Sequence, residues 1–267
     1  EAGAPAEITY INKPHIGTDL LRNVLVNIRK RIISMGGTFR FEECLTDIII
    51  KDNAVYRIVT ESDIIETDVL VLAIGHSARD TFEMLNNKLV KLTAKPFSIG
   101  VRVEHPQKMI CEAQYGEMAG NPLLGPADYK FVHRSKNGRS VYTFCMCPGG
   151  VVTASASESQ GVVTNGMSFQ ERDLENANSA VVVQINPEDF GGEENPMAGV
   201  EFQRYWERKA YEAGGGNYRA PVQLFIDFKE KKVSSSFGEI YPTYRPGCTF
   251  ANLWDCLPDY VCESLVE

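Results

Sequence analysis

Residues 69–80, VLVLAIGHSARD, support two incompatible readings, and the choice between them decides the fold. Gly75-His76-Ser77-Ala78-Arg79 falls one residue short of Gly-x-Ser-x-Gly, the strained turn that presents a nucleophilic serine. The same apolar run also reads as a buried strand closed by Ala-x-Gly. Gly75 would then sit where the chain needs a conformation or a close approach that only glycine tolerates. The first reading centres on Ser77, the second on Gly75.

A nucleophile elbow needs glycine on both sides of the serine, and here Arg79 takes the second place. No HGGG-type loop precedes the run, and the downstream histidines, His105 and His133, stand among bulky β-forming residues. Ser77 fits an ordinary strand-to-helix turn better. The serine-hydrolase reading stays as a rival.

Upstream of the run, residues 18–35 have helical periodicity. Gly17-Thr18-Asp19 opens the helix, Gly36-Gly37 stops it, and Leu21, Val24, Leu25, Ile28 and Ile32 form one apolar stripe that predicts packing on a sheet. Residues 38–41, 44–51 and 54–60 read as strands, with Asp52-Asn53 as a hairpin turn. Residues 68–74 are apolar without alternation, the pattern of a parallel strand covered on both faces. Together these elements give an α/β layout.

From about residue 95 the texture becomes mainly β. Residues 97–103, 129–133, 140–147, 161–168 and 180–185 read as strands, with Pro148-Gly149-Gly150 among the punctuating turns. One helix interrupts them over residues 196–212, between Asn195-Pro196 and Gly214-Gly215-Gly216. The polar cluster Arg172-Asp173 and Asn176-Ala177-Asn178-Ser179 is expected to be a solvated loop.

The 267 residues, 43% hydrophobic and 23% charged, suit an ordinary globular protein of one large or two modest domains. A net charge of −8 argues against a nucleic-acid partner, because phosphate binding needs clustered Lys and Arg. No apolar run is long enough for a membrane span, and the first residues carry no signal peptide. The seven scattered cysteines predict reduced thiols and a cytoplasmic location.

Cys145-Met146-Cys147 is the tightest cysteine pair, but Cys-x-x-Cys and His-x-x-x-His are both missing, so no metal site is expected. In a regular strand, residues two apart share a face at roughly 6.5–7 Å, too far for a disulfide. Gly161 to Ser168 has P-loop spacing, but Met167 stands where the phosphate-neutralising lysine belongs. Gly-x-Gly-x-x-Gly does not occur.

HIGTDLLRNVLVNIRKRIISMGG, VLAIGHSARDTFEML, KPFSIGVRVEHPQ, YTFCMCPGG, GVVTNGMS and NANSAVVVQI together resemble a family of bacterial flavoproteins, described as FAD-dependent or NAD(FAD)-utilising dehydrogenases. The resemblance implies an α/β plus mainly β fold. Residues 1–94 would be a partial FAD-binding domain of the glutathione-reductase-like kind. Residues 95–250 would be an inserted β-rich substrate or cap domain, and 251–267 the start of the return to the FAD-binding domain.

The same resemblance implies FAD in the full-length protein, NAD(P)H as electron donor, and hydride transfer through the flavin to or from a small-molecule substrate. It points to Cys44 and Leu45 near the adenine, and to Ala73, Ile74 and Gly75 beside the dinucleotide. It assigns no catalytic residue. His76, His105, Cys145 and Cys147 are candidates only, and the oligomeric state is unassigned. Since the family's glycine-rich segments are missing, the chain reads as a central fragment, expected to purify without FAD. A non-catalytic binding domain on the same fold is the second rival.

Overall fold

The computed structural model describes residues 2–192 and 194–267. Helix α1 (Thr18–Ser34) opens at Gly17 and ends at Met35, one residue before Gly36 enters the left-handed region at φ +90°. Strands β1 (Leu45–Lys51), β2 (Ala54–Thr60) and β3 (Ile64–Glu66) form an antiparallel sheet in that order. Lys51 pairs with Ala54 across Asp52 and Asn53, at φ +51° and +60°. Positive φ at both central residues is the two-residue hairpin turn whose twist matches its strands.

Three expectations fail in this half. Residues 38–41 belong to no strand. The α1 stripe is not covered: Val24 is buried, whereas Leu21, Leu25, Ile28 and Ile32 are between 39% and 57% exposed. β1 packs instead against α2 (Arg79–Asn87), where Lys88 also meets Asp47 at 2.8 Å.

The third failure is the deciding run. Residues 68–74 belong to no strand, and Val69 and Val71 are 75% and 82% exposed. A two-sided parallel strand needs ladder partners on both edges, and none is supplied among the described residues.

The second half is built on a four-stranded antiparallel sheet in the order β4 (Phe97–Pro106), β9 (Asn176–Ile185), β6 (Ser140–Cys147), β5 (Val132–Arg134). β4 and β9 pair over their whole length, from Phe97 with Ile185 to Pro106 with Asn176. Val183 and Ile185 are fully buried, with Val141 buried beside them, against α5 (Phe225–Lys229) and α6 (Asp259–Val266), which bring Phe228, Val261 and Cys262. The opposite face is partly covered by the hairpin β7 (Gly150–Ala154) and β8 (Thr164–Ser168).

Helix α4 (Ala198–Ala213) lies where the punctuation placed it, and α3 (Gln107–Tyr115) follows β4 directly. A short parallel pair, β10 (Ala220–Val222) with β11 (Cys248–Phe250), completes the sheets. This mixed α/β arrangement with antiparallel sheets agrees with the expected class.

The NANS cluster is not a loop. Asn176, Asn178 and Ser179 are buried positions of the central strand β9, where the ladder satisfies their backbone and sheet contacts cover their side chains.

Candidate functional site

The pleat of β4 and β9 sends Arg102 and Asn178 to one face, because Arg102 pairs with Ala180, two residues along β9. Arg102 Nη1 donates to Asn178 Oδ1 at 2.7 Å, and Nη2 reaches the exposed Asn165 Oδ1 at 3.3 Å. A third, longer contact runs from Nη1 to the Cys145 carbonyl at 3.5 Å. Gly166 of β8 lies directly on this group. A Cβ there would stand 2.2 Å from Asn178 Oδ1 and 2.4 Å from Arg102 Nη1, so the hairpin approaches at a distance only glycine allows.

Beside Arg102 the edge of β6 is irregular. The register shifts between Phe144 and Cys147, and Cys145 adopts φ +46°, a left-handed conformation unusual for a residue with a side chain. The bulge breaks the simple alternation expected for the two cysteines. Cys145 is exposed, Cys147 is half-buried, and the Cys147 thiol donates to the Cys145 carbonyl at 3.2 Å. Burial pushes the Cys147 thiol up, partly offset by Arg102.

Both cysteines are free in the structure. Mass spectrometry without reductant should therefore show two intact thiols at these positions. A two-hydrogen loss assigned to the pair would contradict the geometry.

Three residues along β4, His105 points to the other face by the same alternation, and its Nε2 lies 2.8 Å from the Tyr129 hydroxyl. Burial lowers the His105 imidazole, favouring the neutral ring near pH 7, and raises the Tyr129 phenol, which Ser179 and Arg102 pull partly back. A neutral imidazole against a phenol can pass a proton but holds no charge of its own. His76 is exposed, and Ser77 is exposed with no hydrogen bond to its Oγ among the described residues. No serine–histidine pair is assembled there.

The turn carrying His76 and Ser77 is nevertheless firmly held. The next side chain, Arg79, is only 4% exposed and forks onto Glu207 of α4 at 2.6 and 2.9 Å. It also donates to Glu158 at 2.6 Å and to Gln203 at 3.1 Å. Arg204 completes the group by pairing with Glu158 and Glu83. Sequence reasoning treated Arg79 only as the residue that spoils an elbow. One signal was available: a cation in the first turn of a helix faces the positive end of the helix dipole and needs a carboxylate from elsewhere.

Hydrogen bonds from Arg204 and Arg79 hold the Glu158 carboxyl down at about 2, against a usual value of 4.5. An unfolded chain then takes up the proton first as pH falls. The stabilisation is complete above about pH 5 and is lost progressively toward pH 2. Urea midpoints measured across this range should fall, and Glu158→Gln should flatten the dependence. An unchanged slope in the variant would remove Glu158 as its cause.

The residues assigned to FAD fall in two separate segments, with Cys44, Ala73 and Gly75 exposed and Leu45 and Ile74 half-buried. The Cys44 carbonyl accepts from the Glu61 N–H at 3.1 Å, and Leu45 begins β1. Gly75 has φ +69°, and a Cβ there would meet nothing within 4 Å. An open, left-handed glycine at the end of an uncovered apolar run leaves room for a ligand edge to approach. Among the described residues no group of three or more His, Cys, Asp or Glu could hold a metal ion, and no helix is long and apolar enough to cross a membrane.

Residues 96–267, which hold Arg102, His105, Tyr129 and both cysteines, match the family described as FAD-dependent protein, C-terminal domain-like. The chain belongs to this family. An uncharacterized protein of Clostridium beijerinckii is 53% identical over 268 residues, an alignment covering 100% of this chain and 50% of that protein. The chain therefore spans half the length of this family relative. The family's matched segment begins one residue before β4, so the polar face lies wholly within it.

Proposed function

We propose that the chain works within a longer FAD-dependent oxidoreductase, with residues 1–94 forming part of a glutathione-reductase-like flavin domain and residues 95–250 a β-rich substrate domain. Membership of the FAD-dependent family carries this reading. The coverage of half the relative supports a longer protein, and two uncovered surfaces, the α1 stripe and residues 68–74, are where its further segments would pack. Bound FAD supplies hydride transfer, and NAD(P)H is the proposed donor.

The chain's own residues then position and protect. Ala73, Ile74 and Gly75 offer backbone to the dinucleotide, and Cys44 and Leu45 lie toward the adenine. Arg79 anchors the turn after Gly75 to α4, coupling the flavin side to the substrate side. The Arg102 face receives a small molecule, and His105 with Tyr129 forms a proton-handling pair on the other face of β4. A cytoplasmic location fits the free thiols.

The test is spectroscopic. The longer protein, purified with its remaining half, should be yellow, and its flavin band should bleach on addition of NADH or NADPH. A colourless, folded protein that gains no flavin on incubation with FAD would overturn the proposal.

A further inference from the structure

Several arginines in this molecule are held by carboxylates, whereas Arg219 is held by the Thr249 hydroxyl and the Cys248 carbonyl. Arg57 meets Glu66, Arg79 meets Glu158 and Glu207, Arg139 meets Asp189, and Arg204 meets Glu83 and Glu158. In a chain of net charge −8, acidic partners are plentiful. Arg102 is half-buried and has none among the described residues. Its oxygen partners are all neutral carbonyls, the two outer ones long at 3.3 and 3.5 Å, and the Cys147 thiol lies beside it. Withdrawing a guanidinium from water without a counter-charge is costly unless something else supplies it.

Two donors beside it are also unused. Asn178 is 0% exposed, and its Nδ2 has no partner; Arg102 Nε is likewise buried and unpaired. Nδ2 shares a carbon with Oδ1, and Nε shares a carbon with Nη1, so both flank the single 2.7 Å bond between these side chains. Buried donors left without acceptors are rare in folded proteins and call for an explanation. Unpaired buried Nε atoms also occur in Arg79, whose other nitrogens meet carboxylates, and in Arg172, which Asp128 and Cys147 act on electrostatically.

We propose that Arg102 is the recognition residue for a carboxylate group on the small-molecule ligand of this face, entering from the side of Cys145 and Asn165 and received by the Arg102 guanidinium, which buried Asn178 holds through Nη1. This rests on reading the face as the substrate side. One uncompensated cation calls for a monoanion. The two long contacts to Asn165 and the Cys145 carbonyl are the ones such a ligand replaces, since a carboxylate adds an opposite charge and can accept two parallel N–H bonds from a guanidinium, which a single carbonyl cannot. The strained Cys145 backbone places its carbonyl, and not an acidic side chain, at this edge.

The test uses the 267-residue chain and requires no flavin. Acetate, succinate and benzoate are titrated at constant ionic strength against their neutral amides, with the unfolding midpoint as readout, since a ligand that binds only the folded state raises it in a saturable way. At least one carboxylate should raise the midpoint where its amide does not. Arg102→Gln should weaken that binding at least about tenfold, the loss expected for a charged hydrogen-bond partner.

Asn165→Asp is the second variant, isosteric and exposed, and it places a permanent carboxylate where Oδ1 lies 3.3 Å from Nη2. It should raise the midpoint of the free chain and abolish the response to added carboxylate. An equal response in parent and both variants, or no carboxylate-specific response in the parent, would overturn the proposal. A longer protein without flavin would sink the redox reading and leave this result standing, so the two fail separately.

Discussion

Arg79→Ala is expected to destabilise the folded chain by about 3–5 kcal/mol, the range for removing one member of a buried, hydrogen-bonded ion pair. The side chain is 4% exposed and closes a fork onto Glu207, which is itself only 17% exposed. Truncation would leave that carboxylate in place without its cation, and Gln203 and Glu158 would each lose a donor. The cost comes less from lost attraction than from uncompensated charge. Arg79→Lys keeps the charge but cannot reproduce the planar fork, so it should fall between the parent and the alanine variant.

Pairing Arg79→Met with Glu207→Leu removes both charges. It should recover a substantial part of the loss, because the double variant strands no carboxylate of that pair. Urea unfolding followed by circular dichroism measures all four proteins. A loss within about 0.5 kcal/mol for Arg79→Ala, the size of an ordinary surface change, would show that the network does not bind α2 to α4.

How much of this was legible depends on where each signal resides. The β1–β2 hairpin was readable because Asp52 and Asn53 carry the positive-φ preference in their own side chains. Helices α1 and α4 were readable because caps and glycine stops lie beside them in sequence. Residues 68–74 misled for the opposite reason. Their composition records a burial that partners must supply, and no described strand supplies it.

Asn178 and Ser179 misled in the reverse direction. Polar composition suggested a loop, but cross-strand pairing with β4 and β6 decides their burial, and that pairing is non-local. For the candidate site, Cys145 and Cys147 were visible as a pair, whereas the bulge that separates them was not. Arg102 left a trace as the lone charge in an otherwise uncharged strand segment, FSIGVRV. The unpaired state of its guanidinium appears only once Asn165, Gly166 and Asn178 converge on it from two other strands.

Gly75→Val should separate the two original readings of residues 69–80, because its effect differs between this chain and the longer flavoprotein proposed above. In this chain a Cβ at Gly75 meets nothing within 4 Å, so only the left-handed backbone at φ +69° resists the change. That strain costs about 1–2 kcal/mol. On the reading proposed above, the same position in the longer protein would adjoin the dinucleotide, and a branched side chain would intrude where only hydrogen was present. Overpacking of that kind adds about 1–3 kcal/mol, so FAD should bind roughly 5- to 150-fold more weakly. Ser77→Ala removes a hydroxyl that is exposed and unbonded among the described residues, and should stay within about 0.5 kcal/mol in either protein. Flavin-to-protein ratio and NAD(P)H oxidation are measured for both variants beside the parent. If Ser77→Ala abolishes turnover while Gly75→Val keeps its flavin, the serine is the working residue after all, and the glycine is only a turn.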